Sequence, residues 1–205
     1  MIKNIIFDIG NVLADFRYEK YMKELGFTDD MIAKMCEKVI VNPLWDELDL
    51  GIRPEADIIA EAKRRVPELN REIDIFFENI ENIVESYDYA ADWLKSVKDM
   101  GLGVYILSNY PRRTYLMHEK SRFTFMPYVD GKIISAFVQL SKPDRRIYSL
   151  LLDTYGLKAQ ECMFFDDRQV NIDAARQLGI DARLFTSYED AKAVISELEM
   201  NGRQR

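Results

Sequence analysis

The 205-residue chain predicts an α/β fold, a doubly wound and mostly parallel sheet with a small α-helical unit inserted after its first strand. Three observations lead there. An apolar run, Ile5-Ile6-Phe7, opens the chain. From about residue 16 to 86 the pattern is helical with no convincing strand. From Tyr89 onward, short apolar runs alternate with amphipathic segments. Alternating β and α elements require crossovers, which are right-handed and set the strands side by side in one sheet. The expected division is a core over residues 1–15 and 87–205 and a helical cap over 16–86.

Ile-Ile-Phe favours a strand and Gly10-Asn11 is turn chemistry, so Asp8 is expected at the C-terminal tip of the first strand. In the helical block Tyr18, Tyr21, Met22 and Leu25 recur at helical spacing before Gly26. Thr28, with Asp29 and Asp30, caps a helix through Met31, Met35 and Val39. Pro43 and Pro54 open further helices where a missing amide is harmless. Leu44, Trp45 and Leu48 read first as packing, and second as a shield over substrate.

In the second half, Tyr89 through Leu94 begins a helix ended by Gly101. Val104-Tyr105-Ile106-Leu107 is a buried strand leading to Ser108-Asn109, and Pro111 starts a helix. Ile133-Ile134 is a short strand. Ser141-Lys142-Pro143-Asp144 starts a helix that runs from Ile147 through Tyr155 and closes at Gly156. Cys162 through Phe165 is the next strand, delivering Asp166-Asp167 to its tip. A helix bearing Ile172, Ala175 and Leu178 follows, then a strand around Ala182 to Phe185 and a last helix to about Leu198.

Lys and Arg number 28 against 35 Asp and Glu, a net charge of -7, which argues against the clustered positive field a nucleic-acid partner requires. One histidine, His118, would have to carry a serine triad or a zinc site alone, so it reads as a surface or packing residue. Cys36 and Cys162 have no metal-ligand or redox spacing and fit a reducing compartment. Asp8 breaks the first apolar run too soon for a signal peptide, and no stretch approaches a membrane span. A cytoplasmic protein with no membrane partner is expected, as a monomer or weak homodimer. Neither Gly-x-Gly-x-x-Gly nor a P-loop pattern occurs.

Carboxylate chemistry remains. Asp8, Ser108 and Asp166-Asp167 each follow an apolar strand directly, and Lys142 stands at a helix start. Singly they are a turn former, a loop residue, a capping pair and a solvated pre-proline lysine. In a parallel sheet the strand C-termini share one edge, so together they point to one crevice.

These stretches resemble, in order, the four motifs of the haloacid dehalogenase-like (HAD) hydrolase superfamily: Phe7-Asp8-Ile9-Gly10-Asn11-Val12, Leu107-Ser108-Asn109, Lys142-Pro143, and Phe165-Asp166-Asp167 with Asn171. The resemblance covers the whole chain. The helical block is similar to the small cap of sugar-phosphate phosphatases and of the phosphatase domain in bifunctional epoxide hydrolases. The Gly-Asn-Val-Leu variant and the Asp-Asp-x-x-x-Asn ending look closest to phosphatases of the glucose-1-phosphate type.

The resemblance implies a Rossmann-like core and a Mg²⁺-dependent phosphohydrolase of a small phosphorylated metabolite, a sugar phosphate foremost. Asp8 would attack phosphorus and form an aspartyl-phosphate, splitting one hard displacement into two easier ones. Anions repel, so the site needs cations: Mg²⁺ on Asp8, the Gly10 carbonyl and Asp167, and the ammonium of Lys142. Asp166 and Asn171 would support the metal shell or orient Lys142. Ser108 and the Asn109 amide would donate to phosphoryl oxygens. On the cap, Arg17 and Trp45, with Tyr18 and Arg53, are candidates for contacting substrate.

One departure stands out. Phosphatases of this superfamily usually carry a second Asp two positions after the nucleophile to protonate the leaving group, and here Gly10 occupies that position. A missing general acid costs roughly 10²–10⁴ in rate. Three readings stand. Another carboxylate, foremost Asp15, substitutes, although Asp15 also reads as a helix N-cap before Phe16; the leaving group needs little protonation; or ligands are bound without turnover. The alternatives are accordingly a 2-haloacid dehalogenase-type hydrolase, which uses the Asp nucleophile without a metal, and a non-catalytic phospholigand-binding protein. The Asp166-Asp167 pair favours Mg²⁺ and phosphate.

Overall fold

Ile5, Ile6 and Phe7 are fully buried because their strand, β1 (Asn4–Phe7), is the middle strand of the sheet and is covered on both faces. A computed structural model describes residues 1–203 of the chain. After β1 come β2 (Ala14–Phe16), the helices α1 (Tyr18–Glu24), α2 (Asp29–Met35), α3 (Pro43–Leu50), α4 (Glu55–Arg65) and α5 (Asn70–Glu78), and β3 (Val84–Ser86). The rest alternates: α6 (Ala90–Asp99), β4 (Gly103–Ser108), α7 (Arg112–Ser121), β5 (Gly131–Ile134), α8 (Ser135–Val138), α9 (Arg145–Tyr155), β6 (Cys162–Asp166), α10 (Gln169–Arg176), β7 (Asp181–Leu184) and α11 (Tyr188–Arg203).

Strands β5-β4-β1-β6-β7 form one parallel sheet, the expected α/β class. Period-two alternation divides its side chains between two helical layers. Ile5, Phe7, Val104, Ile106, Met163 and Phe165 pack with Trp93 and Leu94 of α6 and Ile195 of α11. Ile6, Leu107, Phe164 and Ala182 pack with Ile147 and Leu151 of α9 and Ile172 of α10. Strand order runs outward in opposite directions from β1, through β4 on one side and β6 on the other. That reversal opens a crevice at the C-terminal tip of β1.

The predicted helix starts are present. Thr28 accepts from the Met31 N–H, Asn42 from Leu44 N–H with Pro43 in the first turn, and Asp144 from Arg146 N–H. A π-helical turn over Cys36–Ile40 extends α2 toward α3.

Residues 16–86, expected to hold no strand, do begin and end in one. β2 pairs antiparallel with β3, Asp15 opposite Glu85 and Phe16 opposite Val84. Three-residue strands are too short to show alternation, which is why the helical reading overran them. Asp15 is therefore a strand residue and not a helix N-cap; α1 starts only at Tyr18. The chain leaves the sheet and returns to it through this one ribbon.

Candidate active site

Sheet register brings the site together. Phe7 pairs with Ile106 on one side and Phe165 on the other, so Asp8, Ser108 and Asp166 emerge at one edge. The Asp8 N–H donates to Phe165 O at 2.9 Å and the Ile9 N–H to Asp8 Oδ1 at 2.7 Å. Lys142 arrives from the loop before α9, where the Asn109 side chain clamps its backbone in both directions. Asn109 Oδ1 accepts from Lys142 N at 2.8 Å, and Asn109 Nδ2 donates to Lys142 O at 2.9 Å.

Only 3 % of Lys142 is exposed, and its ammonium lies 2.9 Å from Asp8 Oδ1 and 2.6 Å from Asp166 Oδ2. Asp166 is fully buried and saturated: Asn171 Nδ2 donates to both its oxygens at 2.9 and 3.0 Å, and Arg168 N–H to Oδ1 at 2.8 Å. Asp167 is only part-buried, and its Oδ2 accepts from Asn11 Nδ2 at 2.8 Å. Asn11 sits at φ 55, a left-handed conformation that Asn tolerates better than most side chains.

Burial raises the Asp8 carboxyl to about 7, and the charges of Asp166 and Asp167 add to the rise against the pull of Lys142. Burial also raises Asp167, helped by Asp166 and opposed by the Asn11 hydrogen bond. Lys142 is held above its ordinary value: Asp8 and Asp166 outweigh the cost of burying its charge. Oxygens of Asp8, Asp166 and Asp167 lie within 4.8 Å of one another, with one ammonium among them. Such an all-oxygen donor set with surplus negative charge fits a hard divalent cation.

Over these residues lies a cavity of about 530 Å³. Asp8, Gly10, Ser108, Asn109, Lys142 and Asp167 form its floor, and Tyr18, Trp45, Asp46 and Asp49 stand in its roof. A Cβ built on Gly10 would meet nothing within 4 Å.

The structure does not bring every candidate there. Arg17 is off the cavity, its guanidinium forked onto Glu24 at 2.7 and 2.9 Å. Asp15 is also off it, in β2, and Arg53 pairs with Glu47 at 2.6 Å. Trp45 lines the cavity and also packs among Phe16, Phe76 and Phe77. His118 is fully buried, not a surface residue. Its ring nitrogens meet Tyr110 OH at 2.7 Å and Glu81 O at 3.0 Å, and burial lowers its pKa to about 4.

Sequence reasoning passed over Tyr110, Thr114, Arg168 and Asp49, which also line the cavity. Asp49 had a signal: it follows Trp45 by one helical turn, on the same face of α3.

The model of the haloacid dehalogenase-like hydrolase family matches residues 2–179, and the chain belongs to that family. It is accordingly a hydrolase. It is 23 % identical over 182 residues to a sesquiterpene phosphatase of Aspergillus oryzae, covering 87 % of each chain. With a phosphorylated carbohydrates phosphatase of Thermotoga maritima it shares 23 % identity over 205 residues, covering 93 % of this chain and 89 % of the relative. Among solved structures, a HAD family enzyme of Bacteroides thetaiotaomicron in complex with magnesium and inorganic phosphate superposes with a TM-score of 0.73. That match has 21 % identity and covers 92 % of this chain and 96 % of the other.

Among the described residues no helix is long and apolar enough to cross a membrane.

Proposed function

We propose that the protein is a Mg²⁺-dependent phosphatase of small phosphorylated metabolites, sugar phosphates foremost, working through an aspartyl-phosphate on Asp8. The observation that carries this reading is the buried ammonium of Lys142 between Asp8 and Asp166, with Asp167 beside them on the cavity floor. Asp8 Oδ1 accepts from both Ile9 N–H and Lys142, while Oδ2 has no hydrogen bond among the described residues and is the oxygen left to attack phosphorus. Lys142 offsets the charge of nucleophile and phosphoryl group, and the Ser108 hydroxyl and Asn109 amide donate to phosphoryl oxygens. The residues that would hold Mg²⁺ are Asp8, the Gly10 carbonyl and Asp167. Asp166 is the weaker candidate because its oxygens are already spent on Lys142, Asn171 and Arg168. Bound there, the ion would neutralise the carboxylates and polarise the phosphoryl group.

Residues 16–86 serve as a cap that reads the non-phosphate part of the substrate and shuts out water, hinged at the β2–β3 ribbon through which both connections pass. The carbohydrate-phosphate activity in the name of the Thermotoga relative and the phosphate in the Bacteroides complex support the substrate class.

The test is turnover of aryl phosphates and of a panel of phosphorylated metabolites with and without Mg²⁺, beside a 2-haloacid panel. Mg²⁺-dependent phosphate release is expected. Metal-independent halide release with no phosphate release would replace this reading by that of a dehalogenase.

A further inference from the structure

Asp49 is a carboxylate with no assigned work. Its Oδ1 is buried and has no hydrogen-bond partner among the described residues, an exception to the rule that buried polar atoms are paired. It lines the same cavity as Asp8, Gly10 and Lys142, one helical turn beyond Trp45.

Its backbone is fixed rather than adrift. Ser135, fully buried, donates from Oγ to Asp49 O and accepts on Oγ from Tyr110 N–H at 2.9 Å, so one hydroxyl pins the end of α3 to the loop after β4. Two residues on, Gly51 at φ +66 ends α3, and a Cβ there would stand 2.7 Å from Ala136 O. Only glycine permits so close an approach of α3 to α8.

We propose that Asp49 is the proton donor to the leaving oxygen and the base for the attacking water, doing from the roof what Gly10 leaves undone on the floor. This rests on the phosphatase reading above. In the first step Asp8 forms an O–P bond, the ester P–O bond breaks, and the departing oxygen takes the Asp49 proton. In the second, water adds to phosphorus and gives a proton back to Asp49; the Asp8–phosphorus bond breaks and phosphate leaves. Protons and charge balance over the cycle, and Asp49 ends as it began.

The environment supplies the acid form. Burial first, then Asp46 and Asp8, hold the Asp49 carboxyl well above the usual carboxylate range, against the opposing charges of Arg168 and Lys142; Tyr110 also faces it. Asp15, the other candidate carboxylate, lies in β2 and does not line the cavity.

The experiment is a leaving-group series, from nitrophenyl and phenyl to alkyl phosphates, at fixed Mg²⁺ for the wild type, Asp49→Asn and Asp8→Asn. The wild type should show a shallow dependence of kcat/KM on leaving-group basicity. Asp49→Asn should lose roughly 10²–10⁴ on alkyl phosphates and progressively less toward nitrophenyl phosphate. In an Asp49→Asn background, Gly10→Asp should recover much of the alkyl loss, since a side chain at position 10 enters open space. A Mg²⁺-induced rise in Tm retained by Asp49→Asn certifies that the fold and the floor are intact. Parallel loss across the whole series, or no loss, overturns the role of Asp49 while wild-type turnover leaves the phosphatase reading standing. A wild type that turns over no phosphate monoester overturns both.

Discussion

The floor and the roof of the cavity are built on different principles. Strand tips make the floor, and the ladder fixes their positions: Phe7 opposite Ile106 and Phe165 leaves Asp8 level with Asp166 and Ser108 one residue further along. Helix α3 makes much of the roof, placed by packing of Trp45 among aromatic rings and by the contact of Gly51 with Ala136. The floor holds the cations that line the cavity, Lys142 and Arg168, whereas the roof offers aromatic and aliphatic surface with Asp46 and Asp49. On the proposed reading an anion would be held from below, and what it is attached to would be read from above. Damage to the floor should cost chemistry, and damage to the roof outside Asp49 should cost selectivity.

The largest effect is expected from Asp8→Asn, which should abolish phosphate release by roughly 10⁴-fold or more, because it removes the proposed nucleophile. The same change should stabilise the metal-free protein. Asp8 has an ordinary carboxyl value of 3.8 when unfolded and about 7 when folded, so the folded state holds the extra proton between those values. Its contribution is fully present below 3.8 and is lost as pH rises through 7. Asp8→Asn should then melt higher than wild type at pH 8 in chelator, and the two should converge near pH 4. A lower Tm at pH 8 would mean that the Asp8–Lys142 pair is a net stabiliser.

Lys142→Met comes next. It leaves Asp166 fully buried without its cation, a change that costs about 3–5 kcal/mol. Turnover should fall by roughly 10²–10³ as charge neutralisation at phosphorus is lost. Lys142→Arg should not rescue, because a planar fork cannot replace a point charge held 2.9 and 2.6 Å from two different carboxylates. Rescue by Arg would show that only net charge matters on the floor.

The contrast also explains what the sequence could reveal. Asp8, Ser108 and Asp166 were legible because a strand followed by a polar tip has one geometric outcome in a parallel sheet. Lys142 was legible from its place at a helix start, but not the reciprocal clamp from Asn109 that aims it. The ribbon of β2 and β3 was missed because three residues carry no period. Arg17 reads in the sequence as a free cation near an expected active site, and only the fold shows its partner, Glu24, one helix length away. Asp49 shares its helix face with Trp45, yet nothing in α3 alone says that this face looks onto Asp8.

A smaller effect tests the roof. With no Lys or Arg among the roof residues that line the cavity, a second anionic group on the substrate would meet Asp46 with no cation beside it. Monophosphates of neutral alcohols should therefore exceed bisphosphates and phosphorylated acids in kcat/KM by about tenfold, the scale of ~1.4 kcal/mol. Trp45→Ala should reorder the neutral substrates while leaving Mg²⁺ dependence unchanged. It should also destabilise the protein by about 3–5 kcal/mol, because Trp45 is buried against Phe16, Phe76 and Phe77. A uniform fall in rate with the ranking intact would assign Trp45 to packing alone.

Arg17→Ala should have the smallest effect, and it separates the roof from the ribbon that carries it. The Arg17 guanidinium is committed to Glu24, and its backbone N–H donates to Ile83 O at 3.1 Å where the chain passes from β2 into α1. Truncation removes an ion pair whose Glu24 half is exposed and keeps the backbone bond, so kcat/KM should stay within about twofold for every substrate in the panel. If all substrates fall together, the Arg17–Glu24 pair is steadying the connection on which residues 16–86 turn. If the ranking changes, Arg17 reaches into the cavity once substrate is bound, and the division between a floor that holds phosphate and a roof without cations no longer holds.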